Sequence, residues 1–305
     1  MSAAPLLTAV VLSYDRPAYL RRALASLVAE PIGDREILVV DNRSASSGEV
    51  SAVVATFPEV RLVSLPQNRG FTGGMNEGLG VATGRYVLLT EDDIVLRRGC
   101  LEALLAEAGA ESRPRILTGV MLDEGTERVR AAGGDVDLGP PFRMRVTGAG
   151  EDVAAIAPAP YPTSFAPGAF LFLPRVALSA LRGFRDDYFM YMEDVELCLR
   201  AKRLGIGIMV VPAARVEHLG PTSLGSRSLD FHKTKNLLAT YLLHAPYRAL
   251  PAVAARYGLL GVLRRLGSGR QELVPYLRAW LWILANTPRL LGERRALNRA
   301  PRGTR

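Results

Sequence analysis

Short apolar runs alternate with segments of helical period along the first part of the chain. Leu7–Ser13 reads as a buried strand, and Asp15-Arg16-Pro17 turns it into a helix running to about Ala29, with Pro17 suited to a first helical position. Glu36–Asp41 is a second continuous apolar strand, Ser47–Phe57 a helix, and Val60–Ser64 a third strand. Phe71–Ala82 reads as a glycine-rich helix and Arg85–Thr90 as a fourth strand. Strands and helices alternating over short links predict an α/β fold, a mostly parallel sheet with helices on both faces. Ligands of such sheets sit at the carboxyl ends of the strands. Three of these strands end in polar residues: Ser13-Tyr14-Asp15, Asp41-Asn42 and Glu91-Asp92-Asp93.

After Arg115–Met121 the pattern loosens, and residues 123–167, rich in Gly and Pro, predict hairpins and loops flanking a site. Gly168–Leu173 reads as a strand, Pro174–Leu181 as a helix, and Ile206–Val211 as a strand stopped by Pro212. That places His218 in a loop beyond a short extended segment. Asp230–Ala245, Leu250–Leu266 and Gln271–Leu291 read as helices, and a low-complexity basic tail begins at Arg294. The expected division is an α/β body over residues 1–229 and a helical extension over residues 230–305.

Composition narrows the class. Of 305 residues, 49% are hydrophobic and 22% charged, an ordinary globular balance. Two cysteines, Cys100 and Cys198, form neither a disulfide framework nor a metal-type spacing, so a reducing cytosol is expected. The first residues lack the pattern of a secretion signal, and no run of about 18 uncharged apolar residues predicts a membrane span. The net charge of +8 is uneven: residues 230–305 carry 14 Lys+Arg against 3 Asp+Glu, and residues 1–229 carry 24 against 27. Basic segments meet nucleic acid or anionic membrane. This one lacks the interleaved aromatics of a base-stacking platform, which argues against nucleic acid. Its apolar blocks Leu259–Leu263 and Trp280–Leu284 alternate with arginines, a pattern of helices lying on an anionic membrane surface. The alternative is packing on the body or on a second subunit; Trp280 and Trp282 fit either.

Candidate chemistry concentrates in four places. In Tyr188–Lys202, an aromatic run leads into Glu193-Asp194 at a helix start, where the helix dipole favours an ionised carboxylate. Asp194 there suits a catalytic base; simple helix capping is the alternative. The carboxylates of Glu91, Asp92 and Asp93 repel one another unless a cation neutralises them, and oxygen ligands fit Mg²⁺ or Mn²⁺. A solvated acidic turn is the alternative. His218 is a candidate second metal ligand, which tilts the choice toward Mn²⁺, or else a hydrogen-bonded buried side chain. His232 and His244 read as ordinary helix residues. Around Gly70–Gly74, including Gly73, backbone amides can approach a phosphate, and Arg69 can pair with a diphosphate or a carbonyl. Close helix–sheet packing is the alternative for these glycines.

Taken in order, these motifs resemble the family-two inverting glycosyltransferases of GT-A fold, in the rhamnosyltransferase and galactofuranosyltransferase-like branch. The carrying segments are Val10–Pro17, Val39–Asn42, Asn68–Phe71, Glu91–Asp93, Pro167–Ala169, Tyr188–Arg203 and His218–Gly220, covering about residues 7–240. The resemblance implies that Asp41 binds the nucleotide base and that Arg69 lies beside the base or the diphosphate. It implies that Asp93 is the last residue of a metal-binding Asp-X-Asp motif, with His218 as an additional ligand of Mn²⁺ or Mg²⁺, and that Asp194 is the general base. Glu91 stands where the family more often has Asp, and Asp15 where Asn is usual. The full donor-binding set expected is Ser13, Asp41, Arg69, Gly73, Glu91 and Asp92. The implied activity is inverting transfer of a sugar from a UDP- or dTDP-sugar to a hydroxyl of a glycan, a lipid-linked glycan or a small molecule. The expected place is the cytoplasm, and the apolar blocks and arginines of residues 250–291 suggest peripheral attachment to the inner face of the cell membrane. A non-catalytic sugar-nucleotide-binding or membrane scaffold protein of the same fold is the alternative, and the oligomeric state is open.

Overall fold

The computed structural model describes residues 4–110, 113–220, 230–266 and 270–299. Strands β1 (Leu7–Ser13), β2 (Arg35–Asp41), β3 (Val60–Ser64) and β4 (Tyr86–Glu91) pair in parallel. Helices α1 (Pro17–Ala29), α2 (Ser47–Val54) and α3 (Gly70–Val81) are the crossovers between them. There follow β5 (Ile94–Leu96), α4 (Cys100–Ala110) and β6 (Arg115–Asp123). The Gly- and Pro-rich region folds as short strands: β7 (Val129–Ala131), β8 (Gly134–Asp137), β9 (Arg143–Val146) and β10 (Tyr161–Pro162). Then come β11 (Phe170–Pro174), α5 (Arg175–Leu181), α6 (Glu193–Arg203) and β12 (Gly207–His218).

The main sheet has the order β10-β12-β6-β11-β4-β1-β2-β3, with β5 on β12 and β7 on β6. β3, β2, β1, β4, β6 and β12 run one way; β11 and β10 run against them. The sheet is therefore mostly parallel and covered on both faces. Alternate residues of β1 divide between two cores. Leu7, Ala9 and Val11 pack with Leu20 and Leu24 of α1 and Leu104 of α4. Val10 and Leu12 pack with Met75 of α3 and Val195 and Cys198 of α6. The glycines of α3 allow a close approach to the sheet. A Cβ on Gly78 would stand 2.3 Å from Val10 Cγ1, and one on Gly74 would stand 2.5 Å from Leu12 Cδ1.

Beyond the sheet lie α7 (Asp230–His244), α8 (Leu250–Val253), a π-helical segment (Ala254–Leu259), α9 (Leu260–Leu266) and α10 (Arg270–Arg299). A third core joins α7 and α10 to the loop before α6: Tyr188, Leu238, Tyr241, Ile283 and Leu290 are among its buried members. No helix among the described residues is long and apolar enough to cross a membrane.

Several sequence expectations are corrected. α2 stops at Val54 rather than Phe57, because Thr56 folds its hydroxyl back onto the Val53 carbonyl (2.7 Å). His218 is not in a loop but is the last residue of β12. The strand passes Pro212 because the register shifts between Val210 and Arg215, and a bulge tolerates a residue without an N–H. α10 continues past Leu291 to Arg299, so the start of the basic tail is helical. His244 is no ordinary surface helix residue: it is buried against Glu196 (3.2 Å), and His232 stacks on Phe189 with ring centres 4.8 Å apart.

The Glu196–His244 contact, completed by Arg200 Nη2 at 2.8 Å from Glu196, joins α6 to α7. Burial pushes the Glu196 pKa up, but Arg200 and His244 outweigh it and hold the carboxyl at about 2, below its ordinary 4.5. A depressed carboxylate stabilises the fold above its unfolded value, and the contribution is lost as pH falls through the folded value. Glu196→Ala is expected to cost about 3–5 kcal/mol at neutral pH, since it strands the half-buried Arg200 and the buried His244. Urea unfolding should show the gap between wild type and variant narrowing below the unfolded carboxylate range. A gap that stays constant into acid would show that the Glu196 charge contributes nothing.

Candidate active site

Strands running in one direction bring their carboxyl ends to one edge, so Ser13, Asp41, Glu91, Asp123 and His218 end β1, β2, β4, β6 and β12 on the same side. β11 runs the other way, so the turn that precedes it, Pro167-Gly168, reaches that edge too. The start of α6 closes over it: the Gly168 N–H donates to Asp194 Oδ2 at 3.3 Å.

Asp93 and His218 meet because β5 pairs antiparallel with β12, with Ile94 opposite His218. The Leu219 N–H donates to the Asp93 carbonyl (2.7 Å), and His218 Nε2 comes to 3.9 Å from Asp93 Oδ1. Asp93 Oδ2 is taken by an ion pair with Arg16, but Oδ1 is buried without a hydrogen-bond partner. Burial lowers the His218 pKa, with Asp93 opposing, so the neutral imidazole is favoured, the form that binds metals. An orphaned carboxylate oxygen facing an imidazole fits a divalent ion, since two bonds of about 2.1 Å can meet across such a gap. Among the described residues no group of three or more His, Cys, Asp and Glu is arranged to hold a metal ion, and Asp93 and His218 are the two that face each other across such a gap. Arg130 adds a condition. It donates to His218 Nδ1, which leaves the ring proton on Nε2, while also bonding Asp123 Oδ1 (2.7 Å) and the Gly220 carbonyl (3.0 Å). Ligation through Nε2 requires Arg130 to release Nδ1, which then carries the proton.

Asp92 turns away from this pair. It accepts from the Ser13 hydroxyl (2.8 Å) and the Tyr14 N–H (3.1 Å), locking the ends of β1 and β4 together, while Arg16 lies 3.8 Å from its other oxygen. Burial raises its pKa to about 7 against the Ser13 bond. Glu91 is raised further, to about 8, by burial and then by the Asp93 and Asp92 charges. Burial also works against the Arg16 charge, but Asp93, Asp92 and Glu91 outweigh it and raise its pKa.

Asp194 is half-buried at the first turn of α6, where Oδ1 also accepts from the Val195 N–H (2.8 Å). Burial raises its pKa, and the N–H groups of Val195 and Gly168 partly offset that. Glu193 beside it is raised well above its ordinary value by burial and by Asp194, and its Oε2 is buried without a partner. The loop leading to this pair has three non-glycine residues at positive φ: Phe189, Tyr191 and Met192. It is held from both sides. The Thr72 N–H donates to the Phe189 carbonyl at 3.1 Å, and Gly70 has no room for a Cβ, which would stand 2.4 Å from that oxygen. On the other side, the buried Asn236 of α7 donates its amide to the carbonyls of Tyr188 (2.9 Å), Met190 (2.8 Å) and Tyr191 (2.7 Å).

The other candidates lie along β2 and α3. Asp41 is buried and accepts from the Ser44 N–H (2.9 Å). Asn42 fixes the turn into α3, accepting from the Arg69 N–H (2.9 Å) and donating to the Gly70 carbonyl (2.9 Å). The Arg69 guanidinium pairs with Glu77, and its chain lies over Gly73, whose Cβ would stand 2.6 Å from Arg69 Cβ. The structure thus brings Glu91, Asp93, Asp194 and His218 to one edge, turns Ser13 and Asp92 to each other, and engages Arg69 and Gly73 within α3. Sequence reasoning missed Arg16, Arg130, Glu193 and Asn236. A carboxylate cluster demands a cation, which was a signal for Arg16. An amide in a helix interior was a weak signal for Asn236. Arg130 carried none.

The sequence profile of glycosyltransferase like family 2 matches residues 4–230. An N-acetylglucosaminyl-diphospho-decaprenol L-rhamnosyltransferase of Mycobacterium tuberculosis is 28% identical over 259 residues, covering 78% of this chain and 84% of that protein. A pre-mycofactocin glycosyltransferase of the same organism is 28% identical over 279 residues, covering 90% of this chain and 56% of that protein. Among solved structures, GalNAc-T7 with UDP, GalNAc and Mn²⁺ has a TM-score of 0.66 at 14% identity, over 80% of this chain and 48% of that one. A mannosyltransferase of Pyrobaculum calidifontis with GDP-Man and Mn²⁺ has a TM-score of 0.57 at 18% identity, over 97% of this chain and 74% of that one. The fold shared with both is GT-A. The family profile takes in the whole sheet and every candidate site residue named from the sequence, and the chain belongs to the family 2 glycosyltransferases.

Proposed function

We propose that this glycosyltransferase is an inverting enzyme that moves a sugar of rhamnose or galactofuranose type from a UDP- or dTDP-sugar to a hydroxyl group. The observation that carries the reading is Asp194, half-buried and pinned by two backbone N–H groups at the edge where Glu91, Asp93 and His218 converge. In the reaction the acceptor hydroxyl gives its proton to Asp194, and its oxygen bonds to the anomeric carbon. The bond to the diphosphate breaks on the opposite face, and the nucleoside diphosphate leaves with the electron pair. Attack opposite the leaving group inverts the anomeric centre. A divalent cation, Mn²⁺ or Mg²⁺, held by Asp93 and His218 would supply Lewis-acid neutralisation of the departing diphosphate. Ser13 and Asp92 shape the edge of the donor cleft, Glu91 lines it, Asp41 at the end of β2 suits the nucleotide base, and Arg69 and Gly73 shape the wall formed by α3. A rhamnosyltransferase acting on a lipid-linked diphosphate among the relatives supports rhamnose as the sugar and a lipid-linked glycan as the acceptor. The chain works on the cytoplasmic side in this reading.

Asp194→Asn is expected to lower kcat by about 10²–10⁴-fold while leaving donor affinity within a few-fold of wild type. Because burial raises the Asp194 pKa, wild-type kcat should climb with pH through a value above the ordinary carboxylate range, as the base loses its proton. The variant should lack that rising limb. Turnover across pH, with calorimetric donor titration, checks both; near-normal turnover by the variant would remove Asp194 from the reaction.

Asp93→Ala and His218→Ala should each weaken Mn²⁺ binding and metal-dependent donor binding, and a chelator should reproduce the loss in wild type. Titration of Mn²⁺ into the protein without donor reads the site directly. Donor affinity indifferent to chelator would refute the metal pair.

Asn236→Ala should leave three backbone carbonyls of the Tyr188–Tyr191 loop without their donor. The expected result is a fall in kcat of about tenfold or more with donor KM little changed, since misplacing a catalytic group costs rate more than binding. A loss confined to thermal stability, with kcat intact in the folded fraction, would make Asn236 purely structural.

A further inference from the structure

The inner side of α10 is occupied: Tyr276, Ala279, Ile283 and Leu290 are buried. Tyr276 and Trp280 both donate to the Tyr257 carbonyl, the latter at 2.9 Å. At 3.6 residues per turn, Val274, Leu277, Leu281 and Leu284 fall on the other side, and they are 40–66% exposed. The neighbouring segment adds Leu259, Leu260, Leu263 and Leu266, 54–66% exposed. α9 already packs on α10 through Gly261 and Tyr276, and Arg265 stacks on the Tyr276 ring at 3.9 Å. Closer packing of the two helices therefore cannot cover these leucines. An apolar face of this extent marks an interaction surface.

Charge selects the occupant. Arg264 and Arg278 are exposed on the same helical pair and Arg256 on the π-helical segment before it, and residues 246–299 hold ten arginines against two carboxylates, Glu272 and Glu293. A second copy of the chain would set like charge against like. A neutral apolar partner would suit the leucines but not the net positive charge of residues 246–299. A bilayer with anionic headgroups matches both features, taking the leucines into the acyl boundary and the arginines at the phosphates. We infer that the exposed face of α9 and α10 is a docking surface for an anionic lipid bilayer. The surface is tied to the β8–β9 hairpin: the Phe142 N–H donates to Tyr257 Oη (3.0 Å), and the Tyr241 hydroxyl donates to the Gly139 carbonyl (3.2 Å). α7, which carries Tyr241, also carries Asn236.

Flotation of the full-length protein with vesicles tests the assignment. One set is phosphatidylcholine alone; the other is phosphatidylcholine and phosphatidylglycerol in equal parts. Binding to the mixed vesicles is expected to exceed binding to phosphatidylcholine by about tenfold or more at low salt, and to weaken as salt rises. Replacing Leu277, Leu281 and Leu284 together by Ser should abolish it while leaving the circular dichroism spectrum and metal-dependent sugar-nucleotide hydrolysis unchanged. The hydrolysis readout keeps failure here separate from failure of the proposed reaction. No binding to mixed vesicles, equal binding to both sets, or full binding by the leucine variant would each overturn the inference. So would a wild-type dimer that the leucine variant abolishes, which would give the face to a second copy.

Discussion

Repulsion among carboxylates at the sheet edge is the constraint that the rest of the site answers. Glu91, Asp92, Asp93, Glu193 and Asp194 all come to it, and low-polarity surroundings make each unpaired charge costly. Arg16 answers part of the charge, pairing with Asp93 and standing 3.8 Å from Asp92. Ser13 and the Tyr14 N–H answer another part. The remainder is met by protons: Glu91 is raised to about 8 and Asp92 to about 7, with burial the largest cause in both. Such a site releases protons when a cation arrives, so cation binding and protonation are linked there. The crowding of carboxylates at this edge thus gives it a preference for a positively charged ligand.

The position of Asp194 depends on a second constraint. Residues 189, 191 and 192 hold positive φ with side chains attached, each at a cost of about 1–3 kcal/mol. A loop of this kind keeps its shape only when its surroundings fix it. The N-terminus of α3 does so on one side, through Thr72 and the absent side chain of Gly70. Asn236 does so on the other, with three carbonyls on one amide. Tyr188 adds a hydroxyl contact to Thr240 at 2.9 Å. Asp194 is therefore placed by elements that span more than half the chain. α7 begins where the family profile ends, yet it grips the segment that leads to Asp194.

The strands of the body were legible because buried parallel strands are continuous apolar runs, and Val10, Val39 and Leu88 sit in such runs. Once direction was known, the polar ends of β1, β2 and β4 had to share an edge. The Asp93–His218 meeting was not legible in the same way. It depends on β12 continuing past Pro212 over a register shift, and a proline reads locally as a stop. Arg16 was missed because the carboxylate charge had been assigned wholly to a metal, although a cation two residues beyond the β1 turn was equally available. Glu196 and His244 lie 48 positions apart, and no local period links them. The exposure of Leu277 and Leu281 shows the same limit from the other side. A helical stripe says that a face is apolar, but only packing shows which stripe the protein has already used.

Arg130 joins these strands of argument. It arises from β7, in the loosely patterned region between β6 and β11, and reaches His218 Nδ1, Asp123 and the Gly220 carbonyl together. One imidazole nitrogen faces Asp93 and the other faces Arg130, so the proton on the ring is shared between two demands. With Arg130 engaged, Nε2 carries the proton and has no lone pair to offer an ion beside Asp93 Oδ1. With Arg130 withdrawn to Asp123 and Gly220, Nδ1 takes the proton and Nε2 becomes a ligand. The hairpin region and the Asp93–His218 pair are thus coupled through a single ring. The part of the chain with the weakest sequence pattern acts on the part with the strongest.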